Sequence, residues 1–326
     1  MRQLYQEDEM LHTNLLGIEM NTPVLTASGT FGFGEEFADF VDLARLGGVM
    51  VKGTTLKPRR GNDGVRITET PKGMLNCIGL ENPGVAVFLK ETLPRIKAYG
   101  MNVIVNISGS TAEEYGELAG LLDVDGVAAI ELNVSCPNVK EGGIVFGTDP
   151  AAASAVVREA KAHTKKPVIL KLSPNVTDIV TMAKAGEEAG ADAISLINTL
   201  LGMEIDIHRY QPVLGNVTGG LSGPCVKPVA VRMVWQVAQA VHIPIIGMGG
   251  IASAEDAVEF FLAGASAVAV GTANFTDPEI TMKICDGLTK YLKKQGFTHI
   301  NEMVGKANPG FLGFAKADSG EGAKAE

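Results

Sequence analysis

Cysteine is scarce in this chain, and what there is lies far apart. Cys77, Cys136, Cys225 and Cys285 are the four in 326 residues, with no Cys-x-x-Cys pair. From that spacing, neither a zinc or iron–sulfur site held by this chain nor a disulfide framework is expected. Positive charge is also short. Lys and Arg number 28 against 37 Asp and Glu, for a net charge of −9. The basic runs, Lys57-Pro58-Arg59-Arg60 and Lys165-Lys166, are brief. A nucleic-acid partner, which needs a basic footprint, is therefore not expected. Long apolar runs are missing too, and the existing ones are strand-sized, so no membrane span is expected. Met1 to Glu9 is polar and acidic, unlike a signal or transit peptide, and the expected location is the cytoplasm. A dinucleotide fingerprint of the GxGxxG type is likewise lacking.

Apolar residues, at 46% against 20% charged, are sufficient for a large core. They fall in strand-like runs that alternate with helix-like runs. The strand readings are Leu16–Met20, Pro23–Ala27, Gly48–Lys52, Asn102–Ile107, Ala128–Val134, Pro167–Leu172, Ala193–Ile197, Pro244–Met248 and Ala267–Gly271. Phe37–Leu46 reads as an amphipathic segment. Helices are expected over Val85–Tyr99, Ala112–Leu122, Pro150–His163, Thr177–Ala189, Val226–Val241, Ala254–Ala263 and Pro278–Lys294. Asp149, Ser253 and Asp277 stand as their N-caps where they precede one. Stretches 53–80 and 200–222 read as irregular insertions. Counted from Pro23, there are eight strands, each followed by a helix. Continuous apolar strands such as Val168-Ile169-Leu170 suit a parallel sheet buried on both faces. The expected fold is α/β, a single (β/α)8 TIM barrel, with an open doubly wound sheet as the alternative. Residues 1–13 read as an N-terminal extension, 14–314 as the barrel and 315–326 as a mobile polar tail.

In such a barrel the C-terminal strand ends form the active site. Here those ends are polar: Ser28, Lys52-Gly53, Asn106, Asn133, Lys171, Asn198-Thr199, Gly249-Gly250 and Gly271-Thr272. Buried polar groups are costly unless paired, which favours a bound polar ligand. Glycines after strands seven and eight suit a phosphate, although they could simply turn the chain. Lys52 and Lys171 could support negative charge on a reduced flavin, or could be solvated rim charges. Cys136 follows strand four, ahead of a glycine-rich segment, Val139–Gly147, that reads as a lid. Its thiol, with an ordinary pKa of roughly 8.5, could serve as a general base or as a nucleophile. Burial without chemistry is the plainer reading for Cys225 and Cys285.

Four motifs together resemble one family. They are Ala27-Ser28-Gly29-Thr30-Phe31-Gly32, Lys52-Gly53-Thr54-Thr55, Asn76-Cys77-Ile78-Gly79-Leu80-Glu81-Asn82-Pro83-Gly84 and Asn133-Val134-Ser135-Cys136-Pro137-Asn138. The chain resembles class 1 dihydroorotate dehydrogenases from about Leu15 to Phe275, and within them the NAD-linked 1B type. The resemblance implies FMN contacts at Ser28, Lys52, Gly53, Asn106, Asn133, Lys171, Ile197, Gly223, Gly249, Gly250, Gly271 and Thr272. It implies substrate contacts at Lys52, Asn76, Cys77, Ile78, Gly79, Leu80, Asn133, Asn198 and Thr199. Cys136 and Lys52 would be catalytic, with no metal. Cys77 departs from the family, which usually has a small apolar residue there.

The same resemblance implies oxidation of dihydroorotate to orotate in pyrimidine biosynthesis. Cys136 would remove the C5 proton and FMN would take the C6 hydride. Electrons would pass to a partner subunit carrying FAD and a 2Fe–2S cluster, with NAD as final acceptor. A homodimer of this chain within a heterotetramer is expected. The alternatives are a dihydropyrimidine dehydrogenase-like barrel acting on uracil or thymine, a non-catalytic barrel subunit, and a phosphosugar isomerase-type barrel.

Overall fold

The computed structural model describes residues 9–135 and 146–313. Eight parallel strands close into a barrel in sequential order. We number them β1 (Val24–Thr26), β2 (Gly48–Thr54), β3 (Val103–Ile107), β4 (Ala129–Asn133), β5 (Val168–Lys171), β6 (Ala193–Leu196), β7 (Ile245–Met248) and β8 (Ala267–Val270). The closed barrel bears out the expected fold and sets the open sheet aside.

Side chains alternate across each strand, and the alternation divides the core in two. Val49, Val51, Val103, Val105, Ile130, Leu132, Val168 and Leu170 point outward into the layer packed under the helices. Leu25, Met50, Ile104, Ala129, Ile169, Ala193, Ile246 and Ala267 point inward and fill the lower barrel. Leu15 and Met20 join that inner cluster from below. They sit on an antiparallel hairpin, Thr13–Leu15 with Ile18–Met20, rather than on the single strand expected over Leu16–Met20. Leu16 and Gly17, at φ 60° and 77°, make its two-residue turn. Leu11 is fully buried, and the Met10 carbonyl accepts from the Ile300 amide, so residues 10–13 pack against the far end of the chain.

Helices follow most strands as expected. Asp149 accepts from the Ala152 amide at the start of Pro150–His163, and Ser253 from Asp256 at the start of Ala254–Ala263. Three readings need correction. After β1 there is no α-helix. The Phe37–Leu46 segment forms two 3-10 turns, Glu35–Phe37 and Leu43–Arg45, because Asp42 caps the second turn through the Ala44 amide. The last helix runs Ile280–Gln295, since Asp277 closes a turn onto the Glu279 amide instead of capping at Pro278. The stretches read as irregular pair with each other. Ile67–Thr70, Gly73–Asn76, Thr218–Ser222 and Leu200–Met203 form one four-stranded antiparallel sheet at the C-terminal end of the barrel. Among the described residues, no helix is long and apolar enough to cross a membrane.

Candidate active site

The inner alternation continues upward from the apolar layer into a polar one. Two residues beyond Ile104, Ala129, Ile169 and Ala193 stand Asn106, Glu131, Lys171 and Ser195. Strand register sets Asn106 beside Glu131, and Lys171 beside Ser195. All four are buried, at 1%, 0%, 4% and 0% exposure. Glu131 organises them. Its Oε2 accepts from Asn106 Nδ2 at 2.6 Å and lies 3.4 Å from Lys171 Nζ, while its Oε1 accepts from Ser195 Oγ at 2.8 Å. Lys171 also donates to Ser28 Oγ at 3.2 Å, which ties β5 to the end of β1. Asn106 Oδ1 is buried without a partner. Gly53 faces it, and a Cβ there would stand 3.0 Å from that oxygen.

Glu131 and Ser195 are the site residues that the strand-end reading missed. Strand bodies were expected to be apolar, yet Glu131 lies in the body of β4 and is fully buried. Its charge is tolerated because Lys171 and two hydrogen-bond donors surround it. The signal was available, as a glutamate interrupts an otherwise apolar strand two residues before Asn133.

Above this layer lies a row of amides. Asn198 Nδ2 donates to Asn133 Oδ1 at 3.2 Å, and Asn198 Oδ1 accepts from the Thr199 amide at 2.8 Å. Tyr115 Oη donates to the Asn133 carbonyl at 2.7 Å and so fixes the end of β4. From the small sheet, Asn76 Nδ2 donates to the Gly220 carbonyl at 3.3 Å. The segment Cys77–Leu80 follows at that edge. Asn62 holds it by donating from its amide to the Ile78 carbonyl and from its side chain to the Cys77 carbonyl. Buried Asn82 fastens the other end. Its Nδ2 donates to the Leu80 carbonyl, and its Oδ1 accepts from the Thr55 and Gly84 amides. One side chain thus joins the Asn76–Leu80 segment to the end of β2. Cys77 is buried, with its thiol directed to the Val65 carbonyl at 3.6 Å.

Lys52 is half-buried at the end of β2, and no hydrogen bond holds its ammonium among the described residues. Arg66, 2.7 Å from Glu81, holds the Glu81 carboxyl below its ordinary range, and the Lys52 charge adds to this. The Lys52 ammonium therefore lies within electrostatic reach of the Asn76–Gly84 segment.

A glycine pair sits across the mouth, against the start of a helix. Gly249 and Gly250 follow β7 at φ 122° and 81°, where L side chains are strained. A Cβ on Gly250 would stand 2.8 Å from the Lys227 amide nitrogen and 2.9 Å from the Gly223 carbonyl. Lys227 begins the helix Lys227–Val237, so its first turn lies against this glycine pair. Ile197 packs beside Gly249. Thr272, in the 3-10 turn after β8, donates to Ser222 Oγ at 2.8 Å. Gly271 has a negative φ, and a Cβ there would meet Ala27 Cβ at an ordinary 3.5 Å.

The structure thus gathers Ser28, Lys52, Gly53, Asn106, Asn133, Lys171, Asn198 and Thr199 at one end of the barrel. Gly223, Gly249, Gly250 and Thr272 stand on its rim. Cys136 lies outside the described residues, as do Pro137, Asn138 and positions 139–145 of the segment read as a lid. Ser135, the last described residue before it, donates its amide to Asn133 Oδ1 at 3.3 Å. No cluster of three or more metal-binding side chains occurs among the described residues.

The donor set can be tested against a flavin mononucleotide. A buried, unpartnered acceptor on Asn106 calls for a ligand N–H or O–H. The Lys171 ammonium beside it suits an atom that gains negative charge. The glycine pair at a helix start suits a phosphate. The residues present fit the group.

Comparison with known proteins gives the same direction. The sequence model of the dihydroorotate dehydrogenase family matches residues 10–292. Several relatives carry the name dihydroorotate dehydrogenase B (NAD(+)), catalytic subunit. The one from Desulforamulus reducens is 60% identical over 292 residues, covering 89% of this chain and 96% of the relative. That from Pelobacter propionicus is 58% identical over 293 residues, covering 90% and 96%. That from Bacteroides thetaiotaomicron is 56% identical over 296 residues, covering 90% and 98%.

Proposed function

We propose, from the premise that the chain belongs to the dihydroorotate dehydrogenase family, that it is the FMN-bearing catalytic subunit of an NAD-linked dihydroorotate dehydrogenase. It oxidises dihydroorotate to orotate in pyrimidine biosynthesis. The observation that carries this reading is the buried polar layer under the barrel mouth, with Asn106 Oδ1 unpartnered beside Lys171.

FMN, when bound, supplies the acceptor for the hydride that leaves C6 of dihydroorotate. The remaining roles belong to side chains of this chain. Asn106 and Lys171 would hold the cofactor, and the glycine rim with Thr272 and Gly223 would receive its phosphate. Asn76, Asn133 and Asn198 orient the substrate through its ring amides and carboxylate, since each offers both a donor and an acceptor. The Gly79 and Leu80 amides add donors, held in place by Asn82. Lys52 is placed to serve both ligands, because among the described residues no hydrogen bond holds its ammonium. Cys136, as a thiolate, takes the C5 proton, which the adjacent carbonyl acidifies.

The electrons then leave for a second protein. The cysteines of this chain suit no iron–sulfur cluster, and it lacks a dinucleotide fingerprint. A partner subunit bearing FAD and a 2Fe–2S cluster, with NAD as final acceptor, completes the path. A heterotetramer on a dimer of this chain is the matching assembly. Purified alone, the chain is expected to pass electrons from dihydroorotate to an artificial acceptor while reducing NAD poorly. Efficient NAD reduction by the isolated chain would exclude the need for a partner.

A further inference from the structure

The fully buried carboxylate of Glu131 has no part in the proton or hydride transfer described above. Its position is nonetheless specific. It lies one alternation below Asn133 on β4, and it draws donors from β3, β5 and β6. An ionised carboxylate only accepts, so it fixes which end of the Asn106 amide it meets. The Nδ2 group is committed to Glu131 at 2.6 Å, and Oδ1 is therefore the end left facing Gly53 without a partner. Lys171 has three N–H donors, and Glu131 and Ser28 take two of them.

We propose that Glu131 is a positioning residue. Its carboxylate fixes the Asn106 amide and the Lys171 ammonium, so that the barrel floor presents one acceptor beside one donor. The ligand class that matches is a planar heterocycle with an N–H next to an acceptor atom that gains negative charge. The proposal rests on the FMN reading above. A neutral side chain of the same shape cannot enforce this pattern, because a glutamine offers both a donor and an acceptor to Asn106. It also leaves the Lys171 charge without its counter-ion.

The test measures FMN dissociation constants and the reduction potential of the bound flavin in the full chain. It compares wild type with E131Q, N106A, E131Q/N106A and E131D. E131Q is expected to weaken FMN binding about tenfold, the loss of one charge-assisted contact. It should also raise the potential, because an unbalanced Lys171 favours the reduced, more negative flavin. Acting through Asn106, it should add less than about threefold to the loss caused by N106A. A role confined to filling the barrel would leave the potential unmoved. Should E131Q not fold, E131D carries the test. The charge remains but its reach shortens, so affinity falls while the potential stays near that of wild type. Unchanged E131Q affinity and potential, losses that multiply with N106A, or a shifted potential in E131D overturn the proposal and leave the FMN reading intact. A wild-type chain that takes up no FMN overturns both.

Discussion

Replacing Cys136 by alanine is expected to slow reduction of the bound flavin by dihydroorotate about 100- to 10,000-fold, the usual worth of a positioned general base. FMN affinity should change little, since the proposed cofactor contacts lie on the barrel floor and the glycine rim. The pH dependence gives the sharper sign. The thiolate is the reactive form, so the wild-type rate should rise as pH rises through the thiol pKa, ordinarily about 8.5. In the alanine variant that rise should vanish. Rapid-mixing absorbance under anaerobic conditions measures both the rate and its pH profile. Near-wild-type reduction by the variant, or an unchanged pH profile, would remove Cys136 from the role of base.

The second large effect concerns the rim. Gly250 has φ 81°, and a Cβ there would meet the Lys227 amide nitrogen, the Lys227 Cβ and the Gly223 carbonyl, all closer than 3.0 Å. Two of those three neighbours are backbone, so a longer side chain cannot simply swing aside. Gly250→Ala is expected to cost on the order of 2–4 kcal/mol from left-handed backbone strain plus overpacking. Because Lys227 opens the helix at the proposed phosphate cradle, the same shift should weaken FMN binding by about 100-fold or more. Gly296→Ala is the matched control. Gly296 has φ 77° but open space around it, at the end of the last helix. It should lose about 1 kcal/mol and keep its FMN affinity. Thermal unfolding and flavin-fluorescence titration separate the two terms. A Gly250→Ala chain that binds FMN as wild type does would move the phosphate elsewhere.

Particular residues show why some of this was legible in the sequence and some was not. The eight barrel strands declared themselves because parallel strands buried on both faces must be apolar throughout, as in Val168-Ile169-Leu170. Asp149 and Ser253 marked helix starts because their side chains satisfy amides that nothing else can. The small sheet escaped notice for the opposite reason. Its strands are short, half-exposed and interrupted by Gly202, Gly219 and Gly220, and its pairings join residues 73–76 to 218–222, far apart in the chain. At the site, Lys52, Asn133 and Asn198 stood out as polar residues at strand ends. Glu131 and Ser195 did not, because they lie in the bodies of β4 and β6, where the period of two carries polarity one layer deeper than the strand ends. The burial of Glu131 depends on Asn106, Lys171 and Ser195, which come from three other strands.

The most direct test is a visible absorption spectrum of the purified chain, recorded without oxygen before and after adding dihydroorotate. The flavin band should be present at the start and should bleach on adding dihydroorotate, while dihydrouracil leaves it unchanged. A colourless chain, or a flavin band that dihydrouracil bleaches and dihydroorotate does not, would contradict the account.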